Sequence, residues 1–260
     1  MRIALGLSYN GSGYEGWQSQ LSGNTIQDRL EHALGQFTAQ QFRVNCAGRT
    51  DAGVHGLMQV VHFDTALDRD EASWVRGTNA FLPRDIAVQW ARHMPDDFHS
   101  RGSAMARRYA YVVLESPVRP SVEAGRVGWV YRPMDGADME RAAAHLVGEH
   151  DFSSFRAAQC QAKSPIKTLT RITVSQRGPY WRFEFEANAF LHHMIRNIMG
   201  CLLSVGQGAH SPEWILEVLA ARNRDAAAPT FSPDGLYFMG PVYEDRYALP
   251  ASAPAYDWLP

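Results

Sequence analysis

Ile3–Tyr9 (IALGLSY) and Thr25–Phe37 (TIQDRLEHALGQF) decide the fold of the first half of this 260-residue chain. The first stretch alternates apolar residues at Ile3, Leu5, Leu7 and Tyr9, the period of a strand. The second sets Ile26, Leu30, Ala33, Leu34 and Phe37 on one face at helical spacing, with Asn24 or Thr25 as N-cap. Working outward, Phe42–Cys46 and Gln59–Phe63 read as strands on either side of a glycine-rich loop, Gly48–Gly56. Asp70–Ala80 reads as a helix stopped by Pro83, and Ile86–Met94 as a strand. The order is β-α-β-β-α-β, the ferredoxin-like alternation.

The second half repeats this coarse order without repeating the sequence. Arg108–Glu115 and Gly125–Tyr131 read as strands and Asp138–Val147 as a helix. Leu169–Gln176 and Tyr180–Ala187 form a hairpin across Arg177-Gly178-Pro179. Phe190–Val205 and Pro212–Ala221 read as helices, the latter with Ser211 as cap and Pro212 in its first turn. Leu236–Val242 is a candidate to close the sheet. The expected fold class is α+β: two ferredoxin-like, RRM-like halves sharing a mostly antiparallel sheet, with a cleft between them. The expected boundaries are 1–100, 101–246 and a Pro/Ala-rich tail over 247–260, of which Pro250–Pro260 is expected to pack little.

Composition narrows the class. With 45% of residues apolar and 20% charged, the chain can bury a real core, so disorder is not its main state. No run of about 18 apolar residues suggests a membrane span. Met1–Gly11 alternates like a strand and lacks the apolar block of a signal peptide, so a cytoplasmic protein with no membrane partner is expected. The three cysteines, Cys46, Cys160 and Cys201, are odd in number and widely spaced. They offer neither a disulfide framework nor a metal clip; without secretion, the Asn10-Gly11-Ser12 match to a glycosylation acceptor is empty.

The net charge of −2 hides an asymmetry. Residues 1–97 carry −3, residues 98–196 carry +5 and residues 197–260 carry −4. The middle third is therefore a candidate polyanion-facing segment. Of the 25 basic residues only Lys163 and Lys167 are lysines; the planar fork of arginine suits phosphate and base recognition, although a coding bias would give the same composition.

Gly11-Ser12-Gly13-Tyr14-Glu15-Gly16 fits GxGxxG after a strand. The helix that should begin within those glycines starts only after Gly23, so a tight loop is the better reading than a dinucleotide site. The adjacent His192 and His193, placed on a helix, point about 100° apart. With no HExxH or Cys/His spacing, a metal site is not expected.

The richest segment is Gly48-Arg49-Thr50-Asp51-Ala52-Gly53-Val54-His55-Gly56. Its glycines allow close approach of a ligand, and a cation, a hydroxyl, a carboxylate and an imidazole sit between them. Asp51 suits nucleophilic or electrostatic work at a sugar carbon; a turn in which it caps an amide and pairs with Arg49 is equally open. Arg101, Arg107 and Arg108 precede Tyr109-Ala110-Tyr111, whose tyrosines share one strand face. Such a set can stack a base and hold phosphates, or it can be a core strand with snorkelling arginines. Arg196 lies on the first turns of an apolar helix, at the wrong end of the dipole for a cation. It needs an anionic partner; Asp51 is one candidate and a structural acid is another.

Taken together, GRTDAGVHG (48–56), NGSGYEGWQ (10–18), RRYAY (107–111) and NAFLHHMIRNIMG (188–200) closely resemble the bacterial TruA-type tRNA pseudouridine synthases. The likeness runs in order to about residue 243. It implies isomerisation of uridine to pseudouridine in the anticodon stem-loop of tRNA, at positions 38, 39 and 40, by a homodimer that uses no cofactor. By the same resemblance Asp51 is the catalytic aspartate, and Arg196 is the cation that pairs with it and keeps it ionised. Tyr109 stacks on the uracil and is a candidate to help remove the C5 proton. Arg49 fills the stack when the uridine flips out, and Leu236 lines the base pocket. The tRNA-contacting segments fall on Phe98, His99, Ser100, Arg101 and Gly102 and on Gln159, Cys160, Gln161, Ala162 and Lys163, both inside the positive third.

The chain departs from the family pattern at Asn10 (usually Asp), Ser100 (usually Ala), Gly102 (usually Phe) and Ala110 (usually a longer polar residue). Two rival readings remain at this point. A nucleoside N-glycosylase would release free uracil, and a non-catalytic RNA-binding module would bind without modifying.

Overall fold

The computed structural model describes residues 1–250; the expectation for the tail from residue 251 onward lies outside them. The elements run β1 (Arg2–Tyr9), α1 (Ile26–Thr38), β2 (Asn45–Cys46), β3 (His55–Asp64), α2 (Glu71–Asn79) and β4 (Ile86–Met94). There follow β5 (Ala106–Glu115), β6 (Gly128–Val130), α3 (Gly136–Ala144), β7 (Gly148–Asp151), β8 (Ile166–Arg177) and β9 (Tyr180–Ala187). The last are α4 (Met194–Gly206), α5 (Trp214–Ala221) and β10 (Leu236–Val242). The class is mixed α+β with mostly antiparallel strands, as expected. Two compact units divide the described residues: 1–107 with 237–250, and 108–236.

In the first unit β1 lies between β3 and β4, antiparallel to both; Leu5 faces Val61 on one side and Ala91 on the other. β2 pairs antiparallel with β3 at Cys46↔Val61, which completes the ferredoxin-like strand order. β10 joins β3 in parallel, with Tyr237 opposite His55 and Phe238 opposite Gly56. A core of Leu5, Leu7, Ile26, Leu30, Leu34 and Trp74 fills this unit. Each such fully buried large side chain contributes about 1.5–3 kcal/mol.

Helix α1 begins where Thr25 accepts the Asp28 N–H at 3.2 Å while its hydroxyl donates to the Asp28 carboxylate at 2.6 Å. That reciprocal cap settles the start at Thr25 rather than Asn24. It stops where Ala39 turns left-handed at φ 57°. The expected strand Phe42–Cys46 shrinks to Asn45–Cys46. Phe42 turns inward, edge-on to Phe63 at 4.9 Å, and the Val44 N–H donates to the Glu31 carboxylate at 3.0 Å instead of to a neighbouring strand. β3 is longer than expected, because His55 and Gly56 already pair with β1 or β10.

In the second unit the strands run β5-β9-β8-β7, with β6 parallel to β5. The β8–β9 hairpin closes at Arg177↔Tyr180 through Gly178-Pro179, with Gly178 at φ 58°. β7 was not anticipated: GEHD is short and polar and shows no alternation, yet it pairs with β8 from Gly148↔Leu169 to Asp151↔Ile166. The expected strand Gly125–Tyr131 contracts to Gly128–Val130, because residues 123–126 form a turn with Gly125 at φ 78°. Helix α3 starts earlier than expected, where Asp135 caps the Asp138 N–H at 3.0 Å.

The helix expected over 190–205 begins only at Met194. His193 sits left-handed at φ 61°, a conformation through which a right-handed helix does not run. The expected 100° divergence of His192 and His193 fails with it, since their ring centroids lie 4.0 Å apart. Likewise α5 starts at Trp214, after a turn in which the Ser211 carbonyl accepts the Trp214 N–H at 3.1 Å. Among the described residues no helix is long and apolar enough to cross a membrane.

Candidate active site

The Asp51 loop leaves β2 and returns into β3, and a second loop, residues 10–18, lies against it. The Trp17 N–H donates to the Thr50 carbonyl at 3.0 Å, and the Gly53 N–H donates to the Tyr14 carbonyl at 3.3 Å. The Gly11 N–H reaches His55 Nδ1 at 3.1 Å. Below the loop the buried Gln59 amide donates to the Gly48 carbonyl at 2.6 Å and accepts the Gly48 N–H at 3.4 Å. Tyr9 adds a hydroxyl contact to Thr50 at 2.9 Å. Within the loop, the Asp51 carbonyl accepts the Val54 N–H at 3.1 Å. The backbone groups on both sides of Asp51 are thereby fixed, and its side chain is half-buried.

The glycines of the GxGxxG-like segment have a different task from phosphate binding. A Cβ on Gly11 would stand 2.0 Å from the Val54 carbonyl oxygen, and one on Gly16 would stand 2.7 Å from that of Thr50. Gly16 also has φ 90°, which favours glycine. The first amides of α1 then donate back into this loop, Ile26 N–H to the Gly16 carbonyl at 3.1 Å and Gln27 N–H to that of Trp17 at 3.1 Å. Otherwise orphaned helix donors thus bind the loop. Sequence reading found Asp51 but missed Tyr9, Trp17 and Gln59, whose alternating or apolar settings look like ordinary core.

Arg49 is exposed. Burial pushes the Cys46 thiol up to about 11, against the opposing positive charges of Arg49 and Arg101. Both guanidinium groups therefore act on the same strand end. In the segment 98–102, Phe98 and Ser100 are fully buried, whereas His99, Arg101 and Gly102 are exposed. The side chains of Phe98 and Ser100 therefore do not face outward, and only His99, Arg101 and Gly102 present surface from this stretch. Arg107 is also otherwise engaged than as a phosphate ligand: it donates to the carbonyls of Ala104 (2.9 Å), Arg101 (2.6 Å) and Ala47 (3.4 Å).

In the second unit Tyr109 is buried on β5 and meets Phe190 edge-on at 5.1 Å. Tyr111, on the same face, donates its hydroxyl to the Ser232 carbonyl. Burial raises its pKa above the usual phenol value, against the lowering charge of Arg196. Arg196 lies in the first turn of α4, and its Nε donates to the Phe231 carbonyl at 2.9 Å while its own carbonyl accepts the Phe231 N–H at 3.1 Å. Asn197 ties down the same segment, donating to the Phe155 carbonyl at 2.8 Å and accepting the Thr230 hydroxyl at 2.6 Å. Leu236 is buried just beyond, after Gly235 at φ 84°. Tyr109, Arg196 and Leu236 thus stand on one strand, one helix and the segment fastened to that helix.

The segment 159–163 is folded around Arg156, which donates to the carbonyls of Cys160 (2.6 Å) and Ala162 (2.9 Å). Gln159, Gln161 and Lys163 are exposed, Cys160 and Ala162 half-buried. Burial raises the Cys160 thiol, but the N–H groups of Ala162 and His192 and the Arg156 cation outweigh it, leaving the pKa below the usual value.

The first unit thus carries a carboxylate loop clamped by residues 10–18, with Arg49 and Arg101 exposed, and the second carries a buried tyrosine packed on Phe190. A family model described as tRNA pseudouridine synthase matches residues 7–101 and 142–244, and the chain belongs to that family. It is 77% identical over 264 residues to the tRNA pseudouridine synthase A of Polaromonas sp. (strain JS666 / ATCC BAA-500), covering all of both chains. Identity is 78% over 264 residues to the protein of that name from Polaromonas naphthalenivorans (strain CJ2). It is 66% over 282 residues to that of Delftia acidovorans (strain DSM 14801 / SPH-1), again over the whole of both chains. As a member of this family the protein is an isomerase.

Proposed function

We propose that the protein converts uridine to pseudouridine in the anticodon stem-loop of tRNA, with the Asp51 carboxylate as nucleophile. Uridine isomerisation in tRNA follows from the family; the anticodon arm and the role of Asp51 are our reading. The observation that carries it is the Asp51 loop, held at Thr50 by Trp17 and Tyr9 and at Gly48 by Gln59. A carboxylate so fixed begins the reaction already oriented.

The Asp51 oxygen attacks ribose C1′ as the glycosidic electron pair leaves on uracil N1. The base rotates without leaving, C5 attacks C1′ and displaces the carboxylate, and the C5 proton is lost while N1 gains one. A glycal route uses the same carboxylate to remove the C2′ proton. Both develop oxocarbenium-like charge that an anion stabilises. From the resemblance, Arg196 supplies the cation that keeps this carboxylate ionised, Tyr109 the ring that stacks on uracil, and Leu236 part of the apolar wall.

Arg49, His99, Arg101 and Gly102 are proposed to meet tRNA from the first unit, and the segment 159–163 from the second. On this reading the first unit carries the catalytic loop, the second carries tRNA-binding surface, and the protein works as a cytoplasmic homodimer. The test is incubation with tRNA transcripts bearing single uridines in the anticodon arm, with pseudouridine mapped at nucleotide resolution and free uracil assayed. Pseudouridine confined to that arm, with no free uracil, supports the proposal. Free uracil would indicate an N-glycosylase, and binding without product a non-catalytic module.

A further inference from the structure

We propose that Tyr243 and His62 are positioning residues for the tRNA contact of Arg101, acting through the backbone of the buried Ser100. The inference rests on the reading of His99, Arg101 and Gly102 as tRNA-facing residues and deepens it. Ser100 is fully buried, yet each of its polar groups is satisfied by a residue distant in sequence. Its N–H donates to His62 Nδ1 at 3.2 Å, its hydroxyl donates to the Asn45 carbonyl at 2.7 Å, and its carbonyl accepts the Tyr243 hydroxyl at 2.6 Å. The Ser100 hydroxyl also lies 2.9 Å from His62 Nδ1.

With the ring proton on Nε2, His62 Nδ1 presents the lone pair that accepts the Ser100 N–H. Burial, together with the charges of His99 and Arg2, pushes the His62 pKa down to about 4, so the acceptor persists at neutral pH.

The residues on either side are fastened as well. Arg2 donates to the carbonyls of Asp96 (2.6 Å) and Phe98 (2.7 Å), and the Phe98 ring packs at 5.3 Å from that of Tyr243. His99 Nδ1 accepts the N–H groups of Arg101 and Gly102 at 3.1 Å each, while Arg107 holds the Arg101 carbonyl at 2.6 Å. The exposed Arg101 guanidinium thus projects from a backbone fixed before and after it. A preorganised backbone reduces the ordering cost of a charged contact on binding. Tyr243 and His62 set that backbone without being phosphate ligands themselves.

The experiment compares wild type, Tyr243→Phe, Arg101→Ala and the double variant for tRNA affinity at several salt concentrations, and for KM and kcat. Tyr243→Phe keeps the ring against Phe98 and removes only the hydroxyl. We expect it to raise KM for tRNA about 3- to 10-fold, the factor that one hydrogen bond corresponds to, with kcat within about twofold. The double variant should bind no more weakly than Arg101→Ala alone, because the two act through one contact. Additive losses would overturn the proposal, as would an unchanged KM in Tyr243→Phe while Arg101→Ala weakens binding. If Arg101→Ala binds tRNA like wild type, the tRNA-facing reading itself fails and the inference falls with it. Should Tyr243→Phe not fold, His62 provides the second arm. His62→Asn, which keeps an acceptor near the Nδ1 position, should bind like wild type, and His62→Leu should show the raised KM; the same KM in both would overturn the proposal.

Discussion

The hydroxyl of Tyr9 lies 2.9 Å from that of Thr50, the residue immediately before Asp51. Tyr9 is the last residue of β1, and both partners are buried. The position of the carboxylate is therefore tied to the central strand of the first unit rather than left to its loop. Burial, against the lowering hydrogen bonds of Thr50 and Gln59, holds the Tyr9 phenol protonated well above its usual range.

Tyr9→Phe removes that oxygen while keeping the ring 6.0 Å from Trp17. We expect a stability loss of about 1 kcal/mol. We also expect kcat to fall about 10-fold with KM nearly unchanged, because small misplacements of a reacting group are costly. Steady-state kinetics beside urea titrations checks this; a wild-type kcat would show that the loop holds its geometry without the hydroxyl.

Gly16→Ala introduces a Cβ 2.7 Å from the Thr50 carbonyl at a residue with φ 90°. A destabilisation of roughly 2–3 kcal/mol is expected, with a fall in kcat/KM larger than loss of folded protein explains. Gly13→Ala is the control, because a Cβ there meets nothing within 4 Å. Equal effects of the two substitutions on thermal and urea stability would contradict the packing described for the two loops.

His62 links stability to pH. Its pKa is about 4 in the folded chain, lowered by burial first and then by the charges of His99 and Arg2, against an ordinary value of 6.5. Between these values the unfolded chain binds the proton and the folded chain does not, so unfolding takes up on the order of one proton. Stability therefore rises with pH across this window, is fully present above 6.5, and is lost as pH falls toward 4. Urea unfolding of wild type and His62→Asn at pH 5 and pH 7 should show a shallower pH dependence in the variant. Parallel curves would assign the acid sensitivity to other groups.

Periodic segments were the legible part of this fold. β4 and β10 span the expected residues and α1 lies within one residue of them, because apolar spacing alone dictates which face is buried. β2, β7 and the start of α4 were not legible. They depend on a Glu31 side chain, on a strand partner for a polar tetrapeptide, and on a left-handed His193. None of these leaves a local pattern.

The candidate site divides in the same way. A loop as dense in glycine and reactive side chains as Gly48–Gly56 announces itself, whereas the packing of residues 10–18 upon it joins segments far apart in sequence. Reading 98–102 as one contact stretch could not show that its even-numbered aromatic and serine, Phe98 and Ser100, point inward. That division is set by Tyr243, His62 and Arg2 from elsewhere in the unit.

The most direct test is tritium release from tRNA labelled at uridine C5, comparing wild type with Asp51→Asn under single-turnover conditions. The amide keeps the shape of the side chain and removes its charge. Asp51 as nucleophile predicts release by wild type only, with Asp51→Asn folded and still binding tRNA. Release by Asp51→Asn at the wild-type rate would contradict it.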